Sequence, residues 1–172
     1  MAKLITNQEE FLSEIIRNIL PCSEELFFLV GYFYFSGFEE IYTEIGERHL
    51  QILVGLDIEK DISNSIKEYY ILQDLNKSRL DIRQDYFANF VEIFNETDFF
   101  DSSKRIKAFE VFLRKIEQGT LEIRKTASPS HAKMYLFKHD KRTADSLAMP
   151  GTMITGSSNL SISGLKTRHE IN

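Results

Sequence analysis

Apolar residues recur along the first third of the chain with two different periods. Between residues 7 and 20 they fall at Phe11, Ile15, Ile16 and Ile19, which is one face of a helix. Asn7 or Thr6 stands where a cap is needed, Glu9 and Glu10 face the positive end of the helix dipole, and Pro21 stops the element. Residues 25–35 form an almost unbroken apolar and aromatic run that predicts a buried strand. Ser36-Gly37 breaks that run, residues 38–45 predict a short helix ended by Gly46, and residues 49–56 predict a second strand. Strand, helix and strand at this spacing imply a parallel pair within an α/β sheet.

The pattern changes in the middle third. Residues 61–118 carry no strand signal, and helical spacing recurs at 62–75, 86–95 and 103–118. The last of these is the clearest, with Ile106, Phe109, Phe112, Leu113 and Ile116 on one side and Gly119 closing it. Strand-like alternation returns at 121–126, 130–138 and 153–155, with a polar loop from 139 to 151 between the last two. The expected architecture is one α/β domain over residues 1–172. It has a mixed, largely parallel sheet flanked by helices and a helical insertion in the middle third. The chain stops at Glu170-Ile171-Asn172 without a helix cap or tail, so a longer parent protein is expected.

Composition narrows the classes. With 42% hydrophobic and 27% charged residues, the 172-residue chain has the makings of a folded core and not of a disordered one. Its 14 Phe and 7 Tyr are expected mainly in that core, including the clusters Phe27-Phe28, Tyr32 to Phe35 and Phe99-Phe100. Base stacking is the alternative use for such rings. The single cysteine, Cys22, excludes an internal disulfide and suits a reducing compartment as a small buried residue. No signal-peptide pattern and no run of about 20 apolar residues occurs, so the location expected is cytoplasmic, away from membranes.

The net charge of −5 argues against a general nucleic-acid coating protein, because non-specific affinity comes from neutralising phosphates. The charge is uneven, however. Between residues 124 and 142 lie Arg124, Lys125, Lys133, Lys138, Lys141 and Arg142 against Asp140 alone. A solvated strand and loop is one reading of this stretch; a local phosphate site is the other.

Two short elements carry the candidate chemistry. In His131-Ala132-Lys133 on a strand, alternation sends both basic side chains to one face, roughly 6–7 Å apart. An imidazole beside an ammonium suits a phosphate: lysine holds non-bridging oxygens, and histidine attacks phosphorus or donates a proton. Alone, His-x-Lys recurs by chance in many proteins. The second element, Gly156-Ser157-Ser158-Asn159, follows the apolar strand 153–155. There the glycine permits a sharp turn, while a hydroxyl and an amide sit at a strand end, where open α/β sheets bind ligands. Residues 160–165 then predict the start of a helix capped by Ser158 or Asn159. A plain capped turn is the competing reading.

Taken together, the two elements resemble the signature of the phospholipase D superfamily, in order, strand context and interval. Gly164 and Glu170 fit the glycine and glutamate that family often carries downstream, and Val30-Gly31-Tyr32-Phe33 with Ser36-Gly37 resembles the early strand of the phospholipase-D-like domains N-terminal in bacterial helicases. The resemblance implies a metal-independent, two-step phosphodiester transfer without a cofactor. His131 would be the nucleophile that becomes a phosphohistidine, and Lys133 would grip the phosphate. Ser157, Ser158 and Asn159 would bind its oxygens, and Glu170 would orient a histidine. Two departures stand out. Lys138 occupies the position five after the lysine where the family has an aspartate, leaving Asp140 as an uncertain acid. Only one motif is present, since His49, His139 and His169 lack the pattern; His139 reads as an exposed loop residue. The general acid must then be a second His131, which implies a two-fold homodimer.

The function expected is a nuclease acting on nucleic acid, DNA more than RNA, with a covalently attached helicase region as an expected partner. The alternative is a non-catalytic nucleic-acid binding or targeting module of a larger helicase or restriction-type protein. No metal site is expected, and no membrane-docking helix supports a lipid substrate.

Overall fold

The protein is described here from a computed structural model, in which residues 4–8, 10–59, 62, 102–168 and 171–172 are described. The helices expected at 62–75 and 86–95 lie, but for Ile62, outside these residues, as do Phe99, Phe100, His169 and Glu170.

Five strands form one mixed sheet: β1 (Ser23–Phe33), β2 (His49–Ile58), β3 (Leu121–Lys125), β4 (Met134–His139) and β5 (Gly151–Thr155), in the order β3-β2-β1-β4-β5. The ladders β1·β2 and β2·β3 are parallel, and β1·β4 and β4·β5 are antiparallel. The sheet is therefore divided evenly between the two kinds of ladder and is not mainly parallel. The reason is the placement of β4, which enters beside β1 and runs against it instead of extending the parallel edge at β3.

The α-helices among the described residues are α1 (Leu12–Ile19), α2 (Phe35–Ile45), α3 (Ser103–Glu117) and α4 (Lys141–Leu147). Pro21 ends α1 through a 3-10 turn over Leu20–Cys22, which leaves Cys22 half-buried. Ser36 and Gly37, expected to break the chain, sit in the first turn of α2. Gly37 is needed there because a Cβ would strike the backbone of Leu160. The polar stretch expected as a loop contains α4, which buries no side chain and so leaves no apolar period in the sequence. Asp140 caps it, accepting from Thr143 N–H at 2.8 Å.

One face of the sheet is the core. Alternation places Leu26, Phe28 and Val30 of β1, Leu50, Ile52 and Val54 of β2, and Tyr135 and Phe137 of β4 on that face, all buried. Phe33 and Phe35 pack against Phe112 of α3, with ring centroids 6.3 and 5.6 Å away. Truncating such a ring costs about 3–5 kcal/mol. The opposite face carries Phe27, Leu29, Leu53, Met134 and Leu136 around a shallow depression, with Leu53 39% and Leu136 36% exposed. Among the described residues no helix is long and apolar enough to cross a membrane.

Two buried charges tie the helices to loops. Lys115 of α3 donates to the carbonyls of Gly46 and Arg48 at 2.9 and 2.7 Å, and burial pulls its pKa below the ordinary value. Glu40 of α2 is paired with Arg17 of α1 and with Lys166 at 2.8 Å.

Candidate functional site

The C-terminal ends of β1 and β2 stop where three later segments converge. Ser130 N–H donates to Gly55 O at 3.0 Å, drawing the chain across the end of β2. His131, Ala132 and Lys133 consequently precede the hydrogen-bonded part of β4, which begins at Met134 and not at residue 130 as expected. The alternation expected of them survives. Lys133 is buried at 3% exposure, in phase with Tyr135 and Phe137, and its ammonium reaches the imidazole of His131. Lys133 Nζ lies 2.7 Å from Nδ1 and 3.1 Å from Nε2, and donates to His131 O at 2.6 Å. Ammonium can only donate, so the ring nitrogen it meets is an acceptor.

After β5, Leu160 bridges to Phe33 in parallel, and its carbonyl accepts from Tyr34 N–H at 3.1 Å. That contact brings Asn159 beside β1, where its Oδ1 accepts from Tyr32 N–H at 2.9 Å.

Gly31 marks where these groups meet. A Cβ at that position would lie 3.2 Å from Asn159 Oδ1, 3.4 Å from Lys133 Nζ and 3.5 Å from His131 Cδ2. The missing side chain therefore keeps a hollow among an imidazole, an ammonium and an amide. Above it opens a cleft of about 490 Å³ lined by Tyr32, Tyr34, His131, Ser157, Asn159 and Arg168, among others.

The turn after β5 divides its side chains unevenly. Ser157 lines the cleft, while its hydroxyl accepts from Ile171 N–H at 3.1 Å. Ser158 is turned away from the phosphate role expected of it. It is fully buried, its hydroxyl accepts from Asn172 Nδ2 at 2.8 Å, and its carbonyl accepts from Tyr135 OH at 2.9 Å. Ser161, instead of Ser158 or Asn159, caps the following π-turn over Ser163–Thr167, accepting from Gly164 N–H at 3.1 Å.

Asp140 is not brought to this place. Separated from Lys133 by the whole of β4, it stands at the opposite end of the strand, roughly 20 Å away, with both carboxylate oxygens bound to Thr143. The backbone and hydroxyl of Thr143 hold its pKa below the ordinary value, the backbone contact most strongly. Lys138, at the position where an acid was looked for, pairs with Glu24 at 2.7 Å and with Glu25, and both hydrogen bonds raise its pKa. His139 is 5% exposed, not a loop residue, with Nδ1 3.2 Å from Met149 O and Nε2 2.9 Å from Thr152 Oγ1. The basic stretch 124–142 does not gather into one patch. Arg124 and Lys125 lie on β3, with β2 and β1 between them and β4, and pair with Glu122 at 2.7 Å and Asp57 at 3.3 Å respectively.

Two residues were not assigned to the site from the sequence. Arg168 lines the cleft from the segment after the π-turn. Asn7, at φ 57°, fixes that segment: its Nδ2 donates to Gly164 O at 2.8 Å and Arg168 O at 3.0 Å, while Oδ1 accepts from Leu12 N–H at 2.8 Å. Asn7 was expected as a simple helix cap, yet it joins the helix start to the cleft wall. No family model matches the chain, and no curated protein matches it.

Proposed function

We propose that the chain is a metal-independent phosphodiesterase acting on nucleic acid, with the phosphate seated between His131, Lys133 and Asn159. The observation that carries this reading is their convergence on the hollow at Gly31. A tetrahedral phosphate offers acceptor oxygens, and Lys133 Nζ, Asn159 Nδ2 and the Arg168 guanidinium are all donors. His131 supplies the nucleophile once the Lys133 ammonium turns from its ring nitrogen to the phosphate and frees that lone pair. In the first step a ring nitrogen bonds to phosphorus and the P–O bond to the leaving nucleotide breaks, its oxygen taking a proton from an acid. Water then attacks the phosphohistidine, the P–N bond breaks, and the imidazole is restored. This is the chemistry implied by the resemblance to the phospholipase D superfamily.

Among the described residues no other histidine is near. His49 stands opposite Glu25 and His139 opposite Ser23 in the strand ladders, both near the start of β1 and away from its Gly31 end. We assign the acid in this mechanism to His131 of a second molecule across a two-fold axis, as the single His-x-Lys motif implies. The same observation favours a second reading, phosphate binding without turnover, for the chain acting alone.

The test is cleavage of labelled single- and double-stranded DNA in EDTA. Cleavage that resists chelation, is lost by ~10³-fold or more in His131→Ala, and comes from a species sedimenting as a dimer supports the enzyme. Binding with the strand left intact supports the second reading.

A further inference from the structure

The run Tyr32-Phe33-Tyr34-Phe35 splits by strand alternation. Phe33 and Phe35 point into the core and are at most 1% exposed, whereas Tyr32 and Tyr34 point to the cleft, with Tyr34 42% exposed. The two tyrosine rings lie nearly parallel, 29° apart with centroids 6.3 Å apart. The Tyr32 ring meets the His131 imidazole edge-on at 6.4 Å. A flat aromatic surface thus begins one ring away from the candidate nucleophile.

We infer that Tyr32 and Tyr34 form a stacking shelf for a nucleobase, and that the substrate is an unpaired strand. This rests on the phosphate-site reading above and names its substrate class. Charge around the shelf fixes the orientation. On one side stand His131 and Arg168; on the other, Asp57 and Glu59 line a second hollow against the same tyrosines. Phosphates are excluded from the carboxylate side, so the backbone runs along His131 and Arg168 with the base laid over Tyr34. In a duplex the ring faces are already covered by neighbouring pairs, and a base would have to leave the stack to reach the shelf. An unpaired strand presents its faces at no such cost. A net charge of −5 also leaves backbone attraction a poor source of affinity for this chain, which stacking, worth about ten-fold or more per base, supplies.

The test compares, by fluorescence anisotropy, a labelled short oligothymidylate, an abasic oligomer with the same number of phosphates, and a blunt duplex. Strand integrity is checked after each reading. The protein is wild type, Tyr34→Ala and Tyr34→Phe, each with its circular dichroism recorded. The expected result is a preference for the oligothymidylate over the abasic strand of roughly ten-fold, lost in Tyr34→Ala and kept in Tyr34→Phe, with the duplex bound more weakly. Equal affinity of wild type for the two single strands overturns the shelf, as does a Tyr34→Ala loss that is the same for both. Duplex bound as well as single strand overturns the strand preference. Failure of wild type to bind any of the three overturns the phosphate site itself, and the shelf with it.

Discussion

The two ends of β4 hold similar residues and use them in opposite ways. At its start stand His131 and Lys133, and at its finish His139 and Asp140. At the finish, the polar atoms are consumed by the protein: both nitrogens of His139 contact Met149 and Thr152, and both oxygens of Asp140 contact Thr143. At the start, Lys133 meets His131 over Gly31, and His131 lines a cleft shared with Asn159 and Arg168. Residue type does not separate these ends. The connection does: after His139 the chain turns through its own short helix and closes on itself, whereas before His131 it arrives from across β2. That crossing leaves side chains, not backbone, to fill the space.

The contrast can be broken first at the site. Lys133→Met keeps the length and burial of the side chain and removes its charge, so metal-free cleavage falls by about 10²–10³-fold with the denaturation midpoint little changed. Gly31→Ala places a methyl within 3.2–3.5 Å of Asn159, Lys133 and His131. Displacing the phosphate by even part of that methyl lowers the single-turnover rate by about 10²-fold. The opposite end responds in stability alone. His139→Ala leaves Met149 O and Thr152 Oγ1 without their partner and costs about 1–3 kcal/mol in urea denaturation, while cleavage per folded molecule stays at the wild-type rate. Asp140→Ala lowers the midpoint by less and also leaves the rate unchanged; a rate loss there would return Asp140 to the chemistry.

The smallest effect is a pH dependence. Burial pushes the Glu40 carboxyl up, but hydrogen bonds from Lys166 and Arg17 outweigh it and hold the pKa below the ordinary 4.5. A pKa depressed by folding adds stability that is present above the unfolded value. That stability is lost as pH falls through the folded value. Glu40→Gln therefore flattens the acid limb of stability below pH 4.5, measured as urea midpoint against pH.

Much of the fold was legible because its causes are local. Period-two burial of Leu26, Phe28 and Val30, and the 3.6-residue spacing of Phe109, Phe112 and Ile116, are properties of single elements. The predicted strand 121–126 and helix 103–118 agree within one residue with Leu121–Lys125 and Ser103–Glu117. The meeting of His131 with Lys133 was legible for the same reason, as two residues in phase on an extended chain. The burial of His139 was not: a polar residue before a polar stretch gives no sign of the strand β5 that covers it.

What the sequence by itself determined, then, is the set of elements and the pairing of one histidine with one lysine. Only the tertiary structure decided that β4 runs against β1, that Ser158 turns inward while Ser157 stays at the cleft, and that Arg168 and Tyr34 face the same opening. Each of these depends on contacts between segments far apart in the chain, such as Asn159 with Tyr32, 127 positions away, or Asn7 with Gly164, 157 away. Periodicity carries no information about such pairs. Local pattern fixes which face of an element is apolar, and the packing of several elements at once fixes what the polar side chains between them can reach.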